Sequence, residues 1–310
     1  MTIHIMPQQQ REIKSQQNIK KGAAMLPLIY LPNPNIIYQH RKERFQLLAK
    51  ANPLAHYFEL CAKINHLQLT LVNEIPITKN ISDHISITST DKSPPLQLTN
   101  YALTQEWQHY LTQIIDGLIG FQPQIDQIIQ PLMAKTSQEK QIMANHLLNG
   151  SFEKVNSGES LFIWSALSCY YTQLASQLAD NINDLSKQIT ESPLCPICHN
   201  HPVGSVVHLG SENGLRYLQC SLCETQWYAQ RVKCTNCQQM SAIDYYSLDK
   251  ELAAIKTECC NHCHGYLKIC YQDIDPKLDI VVDDLNSLIL DEEMEKAGFA
   301  KTGLNPMLFP

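Results

Sequence analysis

The sequence predicts an α+β protein in which an all-α N-terminal domain is followed by two zinc-ribbon-like modules of four cysteines each and a C-terminal helix. Three observations support this prediction. Apolar residues recur at helical spacing through much of residues 27–190. Four Cys-x-x-Cys pairs, separated by short strand-like runs, follow in residues 191–271. Helical spacing then returns after Pro276.

The N-terminal part divides into a tail and a helical domain. Residues 1–26 are rich in Gln, Lys and Ile without a sustained period, so we expect a flexible tail. Residues 27–190 are expected to form the all-α domain, with 73–100 as a long proline-containing connection and a long helix over 159–189. The apolar residues at helical spacing include Leu54, Tyr57, Phe58, Ile64, Trp107, Leu111, Ile114, Ile125, Ile129, Leu161, Trp164 and Leu174.

Residues 191–232 and 233–310 each contain two Cys-x-x-Cys pairs and are expected to form two similar modules. Strand-like runs between the pairs suggest β-hairpins with cysteine knuckles at their turns. A unit of about 40 residues buries too little apolar surface to fold alone, so metal binding would supply part of its folding free energy. The strand-like runs are residues 203–209, 215–218, 227–232 and 245–248.

The second module is expected to continue into a helix and an apolar tail. Asp275-Pro276 is a typical helix start, and Gly298 is placed to end the helix. We interpret the acidic residues of this segment as a solvated helix face. The apolar end of the chain, 299–310, must either dock on the body or contact a partner. The acidic residues are Asp279, Asp283, Asp284, Asp291, Glu292 and Glu293.

The Cys-x-x-Cys pairs are the strongest functional signal in the chain. A two-residue gap lets both thiolates of a tight turn face one cation, so each pair supplies half of a tetrahedral site. Residues 199–219 separate the first two pairs, and residues 238–259 separate the last two. Both gaps are slightly longer than in typical zinc ribbons. The pairs are Cys195/Cys198, Cys220/Cys223, Cys234/Cys237 and Cys260/Cys263.

Disulfides and thiol redox chemistry are alternative explanations of these cysteines. The N-terminal stretch lacks the apolar run of a secretory signal, and no apolar stretch is long enough to span a membrane. We therefore expect a cytoplasmic protein, in which thiols stay reduced and paired cysteines usually bind metal or carry out redox reactions. A thioredoxin-type site would need one pair rather than four. Metal binding is therefore favoured.

Several details of the metal sites stay open at this level. A four-cysteine tetrahedral site accepts Zn²⁺ or a single Fe equally well. The similarity of the two halves favours sequential pairing, but a cross-braced arrangement would use the same ligands. His199 and His264 follow the first and last pairs, where either could replace a thiolate or provide a left-handed turn residue. Lone cysteines are expected to be bystanders or core residues, namely Cys61, Cys169, Cys259 and Cys270.

Charge and motif content argue against two broad functional classes. The net charge is -6, and residues 191–271 hold no basic stripe that could neutralise phosphates, so a nucleic-acid partner is disfavoured. The sequence has no G-x-S-x-G, H-E-x-x-H or glycine-rich phosphate loop. Four cysteines per site would also leave no coordination position open to a substrate. We therefore expect a protein that is not an enzyme.

Particular stretches carry a resemblance to a known family. The segments CPICHNHPVGSVVH (195–208), GLRYLQCSLC (214–223) and GLNPMLFP (303–310) resemble the formate dehydrogenase accessory protein family, FdhE. The stretch from LPNPNIIYQHRKERF (31–45) to residue 58 is similar to the helical domain of that family. The resemblance is good over about 31–70 and 190–310 and looser between them.

The resemblance implies a helical domain followed by two rubredoxin-like modules, and a cytoplasmic protein needed for active respiratory formate dehydrogenase. It implies iron or zinc at two sites and contact with the catalytic subunit of that enzyme. By matching motif, the ligands of one site would be Cys195, Cys198, Cys220 and Cys223, and those of the other Cys234, Cys237, Cys260 and Cys263. A rubredoxin-like electron carrier and, with less support, a nucleic-acid-binding ribbon are the alternatives. Whether the chain forms a homo-oligomer is left open.

Overall fold

The computed structural model describes residues 3–6, 27–50, 52–78, 93–98, 103–181, 192–208, 215–231, 233–240, 242–249 and 252–309. A helical N-terminal part precedes a sheet-rich C-terminal part, so the predicted α+β class is confirmed. The helices of the first part are α1 (Pro34–Ala49), α2 (Ala55–Glu74), α3 (Trp107–Asp116), α4 (Pro123–Ala134), α5 (Ser137–Leu148) and α6 (Ser157–Ser176).

Local sequence signals fix the ends of several helices. Asn33 caps α1 by accepting a hydrogen bond from the Ile36 N–H, and Pro34 occupies the first turn, where its missing N–H costs nothing. Thr136 and Glu139 form a reciprocal capping box at the start of α5. The helix predicted over 159–189 is α6 followed by the 3₁₀ turn Gln177–Asn181, and its remaining part lies outside the described residues.

Helix α6 is the centre of the helical domain. From Ser160 to Ala175 every residue is buried, because helices α2, α3, α4 and α5 and the first cysteine module all pack around it. A helix that is buried on all sides carries apolar residues on every face instead of one stripe. The nearby Phe152–Lys154 turn is a short 3₁₀ segment that leads into it.

The strands among the described residues form one sheet. They are β1 (His4–Met6), β2 (Ile29–Tyr30), β3 (Pro202–Val207), β4 (Arg216–Cys220), β5 (Gln226–Tyr228), β6 (Ile243–Ser247), β7 (Ile255–Cys260), β8 (Gly265–Tyr271) and β9 (Ala300–Lys301). Their order is β1-β6-β7-β8-β3-β4-β5-β2, with β9 beside β8. Most neighbours are antiparallel, but β8 pairs in parallel with the short β9 and with β3, where Ser205 lies opposite Ile269. This parallel contact joins the two cysteine modules edge to edge.

Two short strands involve the N-terminal region. His4–Met6 pairs with β6, so this part of the predicted flexible tail forms a strand, and most of the rest of 1–26 lies outside the described residues. Ile29–Tyr30, at the start of the helical domain, pairs with β5 of the first module. The N-terminal region therefore contributes a strand at each edge of the sheet.

The C-terminal helical segment departs from the sequence prediction in two ways. It consists of two short helices, α7 (Ile280–Asn286) and α8 (Leu288–Lys296), and it begins at Asp279 rather than at Asp275-Pro276. Asp279 caps α7 by accepting hydrogen bonds from the N–H groups of Val281 and Val282. Gly298 follows α8 with φ +87°, as predicted for a helix end.

The predicted solvated acidic face is wrong for four of its residues. Asp279, Asp283, Asp284 and Asp291 are buried. Their carboxylates face cations because buried charges are tolerated only when paired. Those cations are Arg41 and Arg44 of α1, Lys268 of β8 and Lys301 of β9.

The apolar C-terminal tail docks on the helical domain. Phe309 packs on Trp164, with ring centroids 5.4 Å apart, and Tyr57 donates a hydrogen bond to the Met307 carbonyl. Gly303 allows this path, because a Cβ at that position would lie 2.4 Å from the Val203 carbonyl oxygen. The tail was expected either to dock on the body of the protein or to contact a partner, and in the structure it docks on the body.

Candidate metal centres

The first group of thiols lies at two turns, one before β3 and one at the end of β4. Cys195 and Cys198 precede β3, whereas Cys220 ends β4 and Cys223 lies in the following turn. The Sγ atoms of Cys195 and Cys223 are 3.6 Å apart, and those of Cys198 and Cys220 are 3.4 Å apart. All four lie within 4.8 Å of one another.

The second group repeats this arrangement at the edge of the other module. The Sγ atoms of Cys234 and Cys263 are 3.7 Å apart, as are those of Cys237 and Cys260. Again all four lie within 4.8 Å of one another. The structure thus groups the first pair with the second and the third with the fourth. This is the sequential arrangement and not the cross-braced one.

These distances fit a tetrahedral metal ion. Metal–sulfur bonds of about 2.3 Å place the sulfurs of a regular tetrahedron about 3.8 Å apart. The observed separations of 3.4–3.7 Å need only a small expansion to reach that value. Among the described residues, neither group includes a histidine, so both hold four sulfur donors. Such a set suits Zn²⁺ or a single Fe and leaves no fourth position for a substrate.

The four knuckles share one backbone conformation. The residue after the second cysteine of each pair has a positive φ, with values of 63°, 59°, 65° and 55°. This left-handed residue turns the chain back after the second cysteine. Its N–H bonds the carbonyl of the first cysteine in three knuckles, as His199 does to Cys195 at 2.9 Å. The residues are His199, Glu224, Gln238 and His264. His199 and His264 therefore act here as turn residues.

Backbone N–H groups point at the sulfurs of both sites. Ile197 N donates to Cys195 Sγ at 3.4 Å, and Leu222 N donates to Cys220 Sγ at 3.3 Å. Asn236 N donates to Cys234 Sγ in the same way, at 3.3 Å. Such hydrogen bonds stabilise thiolates and tune the potential of an iron bound to them.

Burial distinguishes the two sites. All four cysteines of the first group are buried, and burial raises the pKa of the Cys198 and Cys220 thiols. Four buried thiolates would repel one another, so these cysteines can all be ionised only around a cation. In the second group Cys237 and Cys263 are only half-buried. Burial alone would raise the pKa of Cys263, but hydrogen bonds from Gly265 and Asn236 lower it to about 7.

The comparisons with known proteins agree over the whole chain. Residues 26–186, 194–231 and 232–308 match the family models for the FdhE N-terminal, central and C-terminal domains. The chain is 39% identical over 311 residues to a protein named FdhE homolog from Yersinia enterocolitica, covering 100% of this chain and 99% of that protein. The corresponding protein of Edwardsiella ictaluri is 40% identical over 313 residues, with the same coverage.

The chain belongs to the FdhE family.

A solved structure supports the same assignment. The crystal structure of the FdhE protein from Pseudomonas aeruginosa superposes with a TM-score of 0.82 at 26% identity, over 92% of this chain and 99% of that one. The resemblance predicted from the cysteine motifs is therefore confirmed. Among the residues that the structure describes, no helix combines the length and hydropathy needed to cross a lipid bilayer.

The helical domain contacts the knuckles of the first sulfur group directly. Trp164 of α6 donates a hydrogen bond to the Ser221 carbonyl at 3.0 Å, and Leu96 N donates to the Ile197 carbonyl at 2.7 Å. Arg41 of α1 forms a bidentate ion pair with Glu224, in which Nη1 donates to Oε1 at 2.7 Å and Nη2 donates to Oε2 at 2.8 Å. Because Glu224 follows Cys223, the first sulfur group lies at the interface between the helical and cysteine-rich parts.

Sequence reasoning missed the role of Arg41. The residue lies in the run Arg41-Lys42-Glu43-Arg44, which is typical of a solvated helix surface. The sequence did contain a signal, because the four-residue spacing of Arg41, Phe45 and Ala49 places them on one face of a helix. In the structure all three residues are buried.

The remaining cysteines lie outside both groups. Cys61, Cys169 and Cys270 are buried among apolar side chains, and burial raises the pKa of each thiol. Cys259 neighbours Cys260 but faces the other side of β7, where its Sγ lies 3.3 Å from Met294 Sδ. The structure keeps these four cysteines apart from the candidate metal ligands, as expected.

Proposed function

We propose that this chain is a non-enzymatic, cytoplasmic accessory protein that binds the catalytic subunit of respiratory formate dehydrogenase and is needed for its activity. The observation that carries the proposal is full-length membership of the FdhE family together with both four-cysteine groups. Two closed sulfur sites suit a structural or redox role better than hydrolysis, since no ligand position is left for a substrate.

The ligands of the two metal ions follow from this proposal. Each group binds one iron or zinc ion, and the metal contributes part of the folding free energy of its module. The first site binds through Cys195, Cys198, Cys220 and Cys223, and the second through Cys234, Cys237, Cys260 and Cys263. In this proposal the helical domain comprises residues 27–190, and the two four-cysteine modules comprise residues 191–232 and 233–310.

Retention of the catalytic subunit tests the proposal. The tagged full chain is immobilised under anaerobic conditions and exposed to an extract containing the formate dehydrogenase catalytic subunit. We expect specific retention of that subunit, checked by mass spectrometry against an immobilised unrelated zinc-ribbon protein. Failure to retain it from an extract in which the subunit is abundant would contradict the proposal.

A second candidate function is electron transfer by rubredoxin-type iron. It is favoured by the half-buried Cys237 and Cys263, because an electron carrier needs a metal site near its surface. Spectroscopy separates the two candidates. A carrier would bind iron and show a visible thiolate-to-iron absorption that bleaches and returns on one-electron cycling. A colourless zinc protein that supports formate dehydrogenase activity would eliminate this candidate.

A further inference from the structure

The knuckles of the first sulfur group are held by the helical domain. Leu96 N donates to the carbonyl of Ile197, which lies between Cys195 and Cys198, at 2.7 Å. Trp164 Nε1 donates at 3.0 Å to the carbonyl of Ser221, which lies between the cysteines of the second pair. Ile197 and Ser221 are both fully buried. Each knuckle of this group is therefore fixed by a hydrogen bond from outside its own module.

The knuckles of the second sulfur group lie at the surface. Asn236, Asn261 and His262, which lie between the paired cysteines, are exposed. Asn261 is held from within its own module, since its N–H donates to the Ala242 carbonyl at 2.8 Å and its side chain donates to Asp244 at 2.7 Å. The sulfur–sulfur contacts of this group are partly buried, whereas those of the first group are fully buried.

This difference determines how easily each group can exchange a metal ion. A closed four-sulfur site releases its ion when an incoming donor atom reaches the site and replaces the thiolates one after another. Each replacement needs a knuckle to open locally, and every hydrogen bond that holds the knuckle opposes this opening. A buried shell around the site also restricts the access of the incoming ligand. Both effects slow exchange at the first group and favour it at the second.

We propose that the second sulfur group is a metal-exchange site, which passes its ion to cysteine thiolates of an acceptor protein, while the first group keeps its ion. Cys237 and Cys263, one from each knuckle, are the half-buried members and are replaced first. Asn236 Nδ2 donates to Cys263 Sγ at 3.7 Å, which stabilises this thiolate as it leaves. No oxidation state changes, because each leaving thiolate keeps its electron pair and an acceptor thiolate takes its place. The proposal rests on the metal ligands proposed above and not on the formate dehydrogenase subunit.

Zinc transfer to a peptide separates the two groups. The zinc-loaded full chain is first assayed for metal, and fewer than two equivalents per chain would contradict the proposed ligands rather than the exchange. The chain is then mixed with an excess of a synthetic peptide that has one unoccupied four-cysteine zinc site, and the zinc left on the chain is followed by native mass spectrometry. We expect one equivalent to leave at least about tenfold faster than the other, because two additional hydrogen bonds hold the first group. The Cys234→Ser, Cys237→Ser variant should lack the fast equivalent and keep the slow one.

A pair of tryptophan variants tests the role of the helical domain. Trp164→Phe removes the indole N–H that bonds the Ser221 carbonyl, so it should speed the slow phase about fivefold and leave the fast phase unchanged. Trp107→Phe is the matched control, since this indole donates to Gln141 within the helical domain, and both phases should stay as in the parent chain. The proposal is overturned if both equivalents leave at the same rate, if the fast equivalent survives in the double cysteine variant, or if Trp164→Phe leaves the slow phase unchanged.

Discussion

Arg41 illustrates how one buried side chain connects distant parts of this protein. Its guanidinium contacts Glu224, which follows a candidate metal ligand, and Asp279, which caps α7. Burial alone would lower the pKa of Arg41, but these two carboxylates raise it above its usual value. The ion pairs therefore keep Arg41 charged in an apolar interface between the helical domain and both cysteine modules.

We predict that Arg41→Met strongly destabilises the chain. Removing Arg41 leaves the buried carboxylates of Glu224 and Asp279 without the guanidinium that neutralises them, which typically costs about 3–5 kcal/mol. The free energy of unfolding at saturating zinc, measured in urea, provides the test. The control is Lys50→Met at the exposed end of α1, for which we expect a change within about 0.5 kcal/mol. A loss below about 1 kcal/mol in the Arg41 variant would show that this cluster contributes little.

His40 should report on the same cluster through pH. Its Nδ1 lies 3.9 Å from Asp279 Oδ2, and this nearby carboxylate raises the pKa of His40 from its usual value of 6.5. Because the folded-state pKa is raised, the stabilisation is complete below about pH 6.5 and is lost as the pH rises through the folded-state value. We expect the NMR titration of His40 to move down towards 6.5 in Asp279→Asn, which keeps a capping side chain. An identical titration in both proteins would contradict this contact.

At the candidate metal ligands, we predict that Cys195→Ser together with Cys198→Ser removes one metal equivalent and unfolds the first module. Loss of a structural metal removes on the order of 10 kcal/mol of metal-linked folding free energy. Metal content by mass spectrometry and the near-ultraviolet circular dichroism measure both effects. Cys61→Ala is the matched control, since this buried cysteine lies in α2 outside both groups. Unchanged metal content in the double variant would refute the assignment.

At the scale of elements, local sequence signals predicted the knuckles and the long helices well. The Cys-x-x-Cys spacing was sufficient to predict the knuckles, because both cysteines of a pair belong to one turn. The sequence analysis missed strands β7 and β8, because polar and apolar residues do not alternate regularly along them. Lys268 of β8, for example, is fully buried and forms ion pairs with Asp284 and Asp291. The acidic residues of α7 were wrongly predicted to be solvated, because the cations that pair with them could not be recognised from the local sequence. Their partners, Arg41 and Arg44, lie more than 230 residues away in the sequence.

The C-terminal tail is an element whose contribution to stability can be isolated. Phe309 packs on Trp164 and Phe152 and is nearly buried, whereas its neighbour Leu308 is 41% exposed. We predict that Phe309→Ala lowers the free energy of unfolding by about 3 kcal/mol, the usual cost of emptying an aromatic site. Leu308→Ala should cost less than about 1 kcal/mol. Equal effects of the two substitutions would contradict the docked position of the tail.

At the scale of the whole molecule, the two cysteine modules differ in their surroundings. The first shares one apolar core with the helical domain, whereas the apolar contacts around the second sulfur group form a separate small cluster. The first site is therefore suited to hold the domains together. The second lies nearer the surface, where a partner could contact it.

The central claim, that this chain is needed for active formate dehydrogenase, is tested most directly by formate-dependent dye reduction. Extracts of cells with and without the chain are compared at equal abundance of the catalytic subunit, and a third strain carries the Cys195→Ser, Cys198→Ser variant. We predict that activity is lost without the chain, is restored by the parent sequence and is not restored by the variant. Full activity without the chain, at matched subunit abundance, would contradict the claim.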